Sequence, residues 1–193
     1  MHDRRIESRG KTAVAVLAEL LKDKDYHVRL AAARTLRLKW LIGPNAKAII
    51  PALTESLKDE NGRVRLAAAE ALVAIDSKVD VAIRSILELL THKEGYYRNA
   101  AAASLSDMAS GVHDGMMHLE SSPFRERSPA LADLVSEVVP ALMKLLKDSN
   151  GRVRWAAAEA LQNIGAEAKA AVVPLTESLK DSNGNVREAA ARG

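Results

Sequence analysis

KDENGRVRLAAAEAL, residues 58–72, returns as KDSNGRVRWAAAEAL at residues 147–161, differing at Glu60/Ser149 and Leu66/Trp155. Weaker copies surround Val28-Arg29, Tyr97-Arg98 and Val186-Arg187. Self-similarity at a spacing of a few tens of residues is the signature of stacked repeats, and it takes precedence over any local motif. Aligned on the arginines at positions 29, 65, 98, 154 and 187, the spacings are 36, 33, 56 and 33. They reduce to a period near 33 and one insertion of about 23 residues.

Within the copy that contains the quoted stretch, Ile50, Leu53 and Leu57 fall at i, i+3, i+7 of a first helix. Val64, Ala68, Ala71, Leu72 and Ile75 fall on one face of a second. Between them Asp59-Glu60-Asn61-Gly62 supplies capping side chains and a permissive backbone for a tight turn. Each unit is a helical hairpin that cannot bury its apolar faces alone, so hairpins must stack. The alanines at 67–69 and 156–158 let second helices approach closely at the best helix propensity. Pro44 suits a helix start, whereas Pro51, Pro140 and Pro174 sit further in and are expected to bend first helices.

Pro51, Asp59 and Arg65 are separated by eight and six residues, and Pro140, Asp148 and Arg154 repeat that spacing. In this the chain resembles the HEAT-repeat family, and its short repeats are similar to those of phycobilin lyase subunits. The resemblance implies an all-α, right-handed α-solenoid of about five hairpins, at roughly 11–43, 44–76, 79–109, 129–165 and 166–193. It also implies a hydrogen-bonded ladder along the turns, formed by Asp23, Asp59, Asp148 and Asp181 with Arg29, Arg65, Arg154 and Arg187. The sequence departs from the pattern in places. Ala15 stands where the first unit would have its proline, and Pro174 is displaced by one residue. In the third unit Arg84 replaces the proline and His92 the aspartate, which leaves the ladder contact of that unit in doubt.

The composition bounds the functional classes. Lys and Arg number 28 against 25 Asp and Glu, a net charge of +3 that describes a mixed surface and not a polycation. With no cysteine, disulfides and thiolate chemistry are excluded, which fits a cytoplasmic protein. Residues 1–20 are read as a repeat helix and not a signal peptide, because Glu19 interrupts the apolar run. No phosphate loop, serine elbow or paired carboxylate appears. His113, Asp114, His118 and Glu120 are metal-ligand types within a glycine-containing loop that fixes no geometry, so no metal and no cofactor are assigned. No His-Glu dipeptide occurs, which removes the iron-holding HEAT-like enzymes. The insertion at 110–128 is expected to be a long surface loop. The chain ends look like cut repeats, which suggests either a fragment of a longer array or end-to-end contacts with another chain through uncapped hairpins.

Variation between units carries the remaining signal. Opposite the buried face of each second helix lies a stripe at the positions of Arg63, Leu66, Glu70 and Val73. Its first column reads His27, Arg63, Tyr96, Arg152, Asn185; its second Leu30, Leu66, Asn99, Trp155, Glu188; its third Arg34, Glu70, Ala103, Glu159, Arg192. By resemblance to HEAT-like solenoids, second helices line the concave face used for binding. The expected function is a non-enzymatic scaffold for a protein partner, bound through His27, Leu30, Arg34, Arg63, Leu66, Glu70, Tyr96, Asn99, Arg152, Trp155, Glu159 and Glu188. The alternatives are a phycobilin lyase-like subunit and, by resemblance to HEAT-like DNA glycosylases, a nucleic-acid-binding protein. Glu70, Glu159 and Glu188 interrupt the basic track that nucleic acid would require.

Overall fold

The computed structural model describes residues 2–38, 43–75, 79–110, 112–113, 117–118 and 129–192. The chain is all-α, built of helical hairpins, and divides into two compact units, Met1–Ile86 and Leu87–Gly193. The division falls inside the helix of the third expected hairpin.

In the first unit α1 (His2–Leu20) pairs with α2 (Tyr26–Leu36). A 3-10 segment (Gly43–Ile49) runs into α3 (Ile50–Ser56), which pairs with α4 (Gly62–Ala74). The second helices α2 and α4 also pack on each other. Helix α5 (Val79–Leu89) carries the division. The second unit contains α6 (Gly95–Ser110), α7 (Pro129–Leu145) and α8 (Gly151–Ile164). A second 3-10 segment (Gly165–Ala171) leads into α9 (Val172–Ser178), and α10 (Gly184–Arg192) closes the series. Helix α8 is enclosed by α6, α7, the 3-10 segment and α10.

That enclosure explains the alanines. A helix with one neighbour buries one stripe, but Ala156, Ala157 and Ala158 are consecutive and all fully buried. Only the smallest side chain that favours helix lets neighbours close in on several sides at once. The leucines supply most of the apolar burial: Leu53, Leu72, Leu105 and Leu142 have no exposed surface, and each contributes roughly 1.5–3 kcal/mol.

The prolines act through helix type. Pro51 is the second residue of α3 and Pro174 the third of α9, each directly after a 3-10 segment. Proline removes the N–H that would bond four residues back and crowds that carbonyl. The preceding turns therefore tighten to 3-10 geometry, with Ala168 leaving helical angles at φ −90°, ψ 23°. By contrast, α7 runs through Pro140 as one helix of 17 residues.

The glycines that open second helices play a different part from the turn role expected of Gly62. Among the described glycines, Gly165, at the end of α8, has positive φ (+74°). Gly95 and Gly151 instead open helices where a Cβ would lie 2.9 Å from Asn150 Nδ2 and 2.7 Å from Asn183 Nδ2. They are glycine because the capping asparagine of the next hairpin occupies that space.

At the insertion, Val112–His113 pairs antiparallel with Met117–His118, so its beginning is a minimal β-ribbon and not open loop. Its remainder, including Asp114, Met116, Glu120 and Phe124, lies outside the described residues. Among the described residues no helix is long and apolar enough to cross a membrane.

Candidate functional site

The turns are joined by arginine. Arg29 Nε and Nη2 donate to Asp59 at 2.6 and 3.0 Å, while its Nη1 donates to the carbonyls of Asp23 and Lys24 in its own turn. Arg154 treats Asp181 in the same way, at 2.7 and 2.8 Å. Each receiving aspartate also accepts the backbone N–H two residues on: Asn61 for Asp59, Asn150 for Asp148, Asn183 for Asp181. One carboxylate thus shapes its turn and anchors the hairpin before it. Direct hydrogen bonds from Arg98 and Arg154, in that order for Asp148 and Asp181, hold these carboxyls below the usual range against their burial.

Membership of the ladder differs from the expected set. Arg98, in the divergent third unit, is a full member: it reaches Asp148 at 2.6 and 2.9 Å across the insertion. The turns on either side of the insertion are thereby joined directly, although 50 positions separate the two residues in sequence. Arg65 and Arg187 bond the carbonyls of their own turns and meet no carboxylate among the described residues. Asp23 accepts the Asp25 N–H and receives no arginine there. His92 keeps half of the aspartate's task, since its Nδ1 accepts the Glu94 N–H at 3.1 Å. An imidazole lacks the paired carboxylate oxygens that a guanidinium fork requires.

The stripe resolves into exposed and occupied positions. Tyr96 is half exposed and Trp155 37% exposed, while His27, Arg34, Arg152 and Glu188 face solvent. Arg63, Leu66, Asn99 and Glu159 are half-buried. The residues opposite Trp155 on α8, namely Val153, Ala157, Ala160, Leu161 and Ile164, are buried. Leu30 and Val73 do not belong to the exposed stripe, because both are buried where neighbouring helices cover them. Glu70 is also withdrawn from solvent. Its carboxylate accepts from Arg37 Nη1 at 2.6 Å, with side chains 14% and 16% exposed, and this pair ties α2 to α4.

Helices α6, α8 and α10 pack in that order, so Tyr96 and Asn99, then Arg152, Trp155 and Glu159, then Glu188 lie on three neighbouring helices of one unit. The Asn99 Oδ1 is buried without a hydrogen-bond partner. Burial, reinforced by the negative charge of Asp107, pushes the Glu159 carboxyl up, and Arg192 opposes this. Glu188 hydrogen-bonds Arg192 within α10.

Hairpins, alanine-rich second helices and an Asp–Arg series along the turns all repeat. The HEAT-repeat family model matches residues 38–106 and 129–193, more than half of the chain. The chain is a member of the HEAT-repeat family. Among solved structures, an engineered protein is 26% identical over 93% of this chain and 76% of its own, with a TM-score of 0.62. A designed armadillo repeat protein in complex with the peptide (KR)4 is 18% identical over 98% and 88%, with a TM-score of 0.66. The complex of CpcE and CpcF of phycocyanin lyase from Nostoc sp. PCC7120 is 19% identical over 93% and 96%, with a TM-score of 0.62. The last two likenesses concern the fold alone. No curated protein matches the sequence.

Two features of this HEAT-repeat chain escaped sequence reasoning. Asn163 Nδ2 donates to Ser106 Oγ at 2.8 Å, joining α8 to α6 where Arg37–Glu70 joins α4 to α2. The signal was available, because Asn163 replaces Ala74 and Ser106 replaces Arg37 in the repeat alignment. The second is the apolar surface of α9, where Val172 and Val173 are 58% and 68% exposed. Among the described residues no three metal-ligating side chains converge.

Proposed function

We propose that this HEAT-repeat chain is a non-enzymatic scaffold that holds a protein partner along the second helices, centred on Trp155 and its neighbours on α6, α8 and α10. The observation that carries the reading is the exchange of Leu66 for Trp155 within second-helix stretches, residues 62–72 and 151–161, that otherwise match. A hairpin of this type folds with leucine there, so the tryptophan is not required by the fold. Its indole is 37% exposed on a helix whose opposite residues are buried. Rigid aromatic side chains flanked by charge are the typical anchors of protein interfaces. A designed armadillo protein of similar fold is named as a complex with a peptide, which supports a peptide-like partner. The phycocyanin lyase neighbour keeps a lyase-type role as the second reading. Its test is retention of a bilin, seen as visible absorbance after incubation.

Peptide display against the full chain tests the main reading. Selected peptides should lose about tenfold or more in affinity with Trp155→Ala. They should be indifferent to Lys144→Ala on α7, an exposed first-helix position. Peptides indifferent to Trp155→Ala would overturn it.

A further inference from the structure

The repeated stretch contains its own control experiment. Glu70 and Glu159 occupy the same place in nearly identical helices, a place that in α4 faces the preceding second helix. Glu70 is satisfied: Arg37, from that preceding helix, donates to its carboxylate at 2.6 Å. In α6 the place of Arg37 is taken by Ser106, which accepts from Asn163 instead, and the next residue is Asp107. Glu159 therefore feels the opposed charges of Asp107 on α6 and Arg192 on α10, where its twin has a guanidinium in contact, and among the described residues no hydrogen bond or ion pair holds it. The charge is half-buried, and the cation nearest to it in effect, Arg192, is already engaged by Glu188. One turn earlier on the same face of α8, at i−4, stands the exposed indole of Trp155, which is leucine in the twin.

We infer that Glu159 and Trp155 together seat an arginine side chain supplied by the partner, replacing in trans the guanidinium that Arg37 supplies to Glu70 in cis. This rests on the scaffold reading above and gives the partner its chemistry: an extended basic segment with at least one arginine. Three features of the site select that ion. A half-desolvated carboxylate beside a second acid attracts a cation more strongly than a solvated one does. The planar guanidinium gives the carboxylate two parallel donors, as Arg29, Arg98 and Arg154 do for the turn aspartates of this chain. Its face stacks on an indole, an arrangement that an ammonium reproduces less well.

The test uses the full chain with Trp40→Phe, so that emission reports Trp155. Two fluorescein-labelled peptides serve as probes: four Lys-Arg repeats, and the same peptide with citrulline, which has the shape of arginine without its charge, at each arginine. The Lys-Arg peptide should bind and shift the Trp155 emission, and the citrulline peptide should bind about tenfold more weakly. Glu159→Gln should impose the same loss and abolish the discrimination between the two peptides. Glu177→Gln, an equal change of charge on the first helix α9, should leave affinity within about twofold. Absence of binding, lack of discrimination between arginine and citrulline, or equal losses from Glu159→Gln and Glu177→Gln would overturn the arginine seat. If display-selected peptides depend on Trp155 but need no arginine, the seat fails and the scaffold reading stands. Indifference to Trp155→Ala as well removes both.

Discussion

Each ladder arginine shares its donors between two tasks, and the division predicts what its loss does. Arg98 spends one nitrogen on the carbonyls of His92 and Lys93 and two on Asp148, whose side chain is 7% exposed. Arg98→Ala strands that carboxylate and is expected to cost about 2–4 kcal/mol. Arg65→Ala removes bonds to the Asp59 and Glu60 carbonyls and strands no carboxylate, so about 1 kcal/mol is expected. Urea midpoints compare the two, and equal losses would mean that the carbonyl bonds, not the ion pair, carry the contact. Acid separates the charges further. Asp148 and Asp181 have carboxyls lowered by Arg98 and Arg154, so their contribution is present above the unfolded value near ~3.9. It fades as pH falls through the lower folded values. Glu159 is raised, chiefly by burial, so its contribution is present at low pH and disappears as pH rises through its folded value. Asp148→Asn should therefore flatten the acid limb of stability against pH, and Glu159→Gln should gain on the parent as pH rises above the ordinary glutamate value of about 4.3. Parallel curves for either variant would refute the assignment of that group.

Among the elements, the helix starts distinguish one hairpin from the next. Gly151 and Gly184 both open a second helix after an asparagine cap, and on sequence alone they are equivalent. A Cβ at Gly151 would stand 2.7 Å from Asn183 Nδ2, the amide of the residue that caps α10. At Gly184 the nearest atom is Arg187 Nη2 at 3.6 Å, an ordinary contact. Gly151→Ala should lower stability by about 1–2 kcal/mol because Asn183 must move. Gly184→Ala should leave stability unchanged or raise it by about 0.5–1 kcal/mol through helix propensity and a less flexible unfolded chain. Thermal unfolding of the pair decides this; a loss at Gly184 equal to that at Gly151 would show that the glycines serve the turn and not the packing.

For the molecule as a whole, hairpins stabilised by their neighbours should fail locally. Leu142 on α7 has no exposed surface and lies in the second unit, so Leu142→Ala leaves a cavity costing about 2–5 kcal/mol. In a repeat array that cost is borne by the affected hairpin and those it touches. Amide exchange should therefore accelerate in α7 and α8 more than in α2 and α4. Uniform acceleration would mean that the 193 residues unfold as one cooperative body. The chain carries 28 basic and 25 acidic residues, and the exposed indole of Trp155 lies one turn from Glu159 on α8. That setting favours a protein over a nucleic-acid partner, and a shallow dependence of binding on salt is the expected accompaniment.

The repeat period, the helical hairpin and the Asp–Arg ladder as a device were legible in the sequence, because each rests on local chemistry repeated several times. Capping, helix propensity and apolar spacing act over one or two turns, so like sequence gives like hairpin. Membership of the ladder was only partly legible: Arg65 and Arg98 carry the same residue at the same place, yet one meets an aspartate and the other does not. Exposure was less legible still. Leu146 and Leu179 both stand two residues before a turn aspartate, but they are 5% and 43% exposed. Leu30 and Glu70, expected at the surface, are covered or paired. What a side chain meets in a stack is set by the neighbouring hairpin, tens of residues away in the chain. That is why the sequence determined the form of each unit, whereas tertiary packing alone decided which residues of the stripe stay exposed.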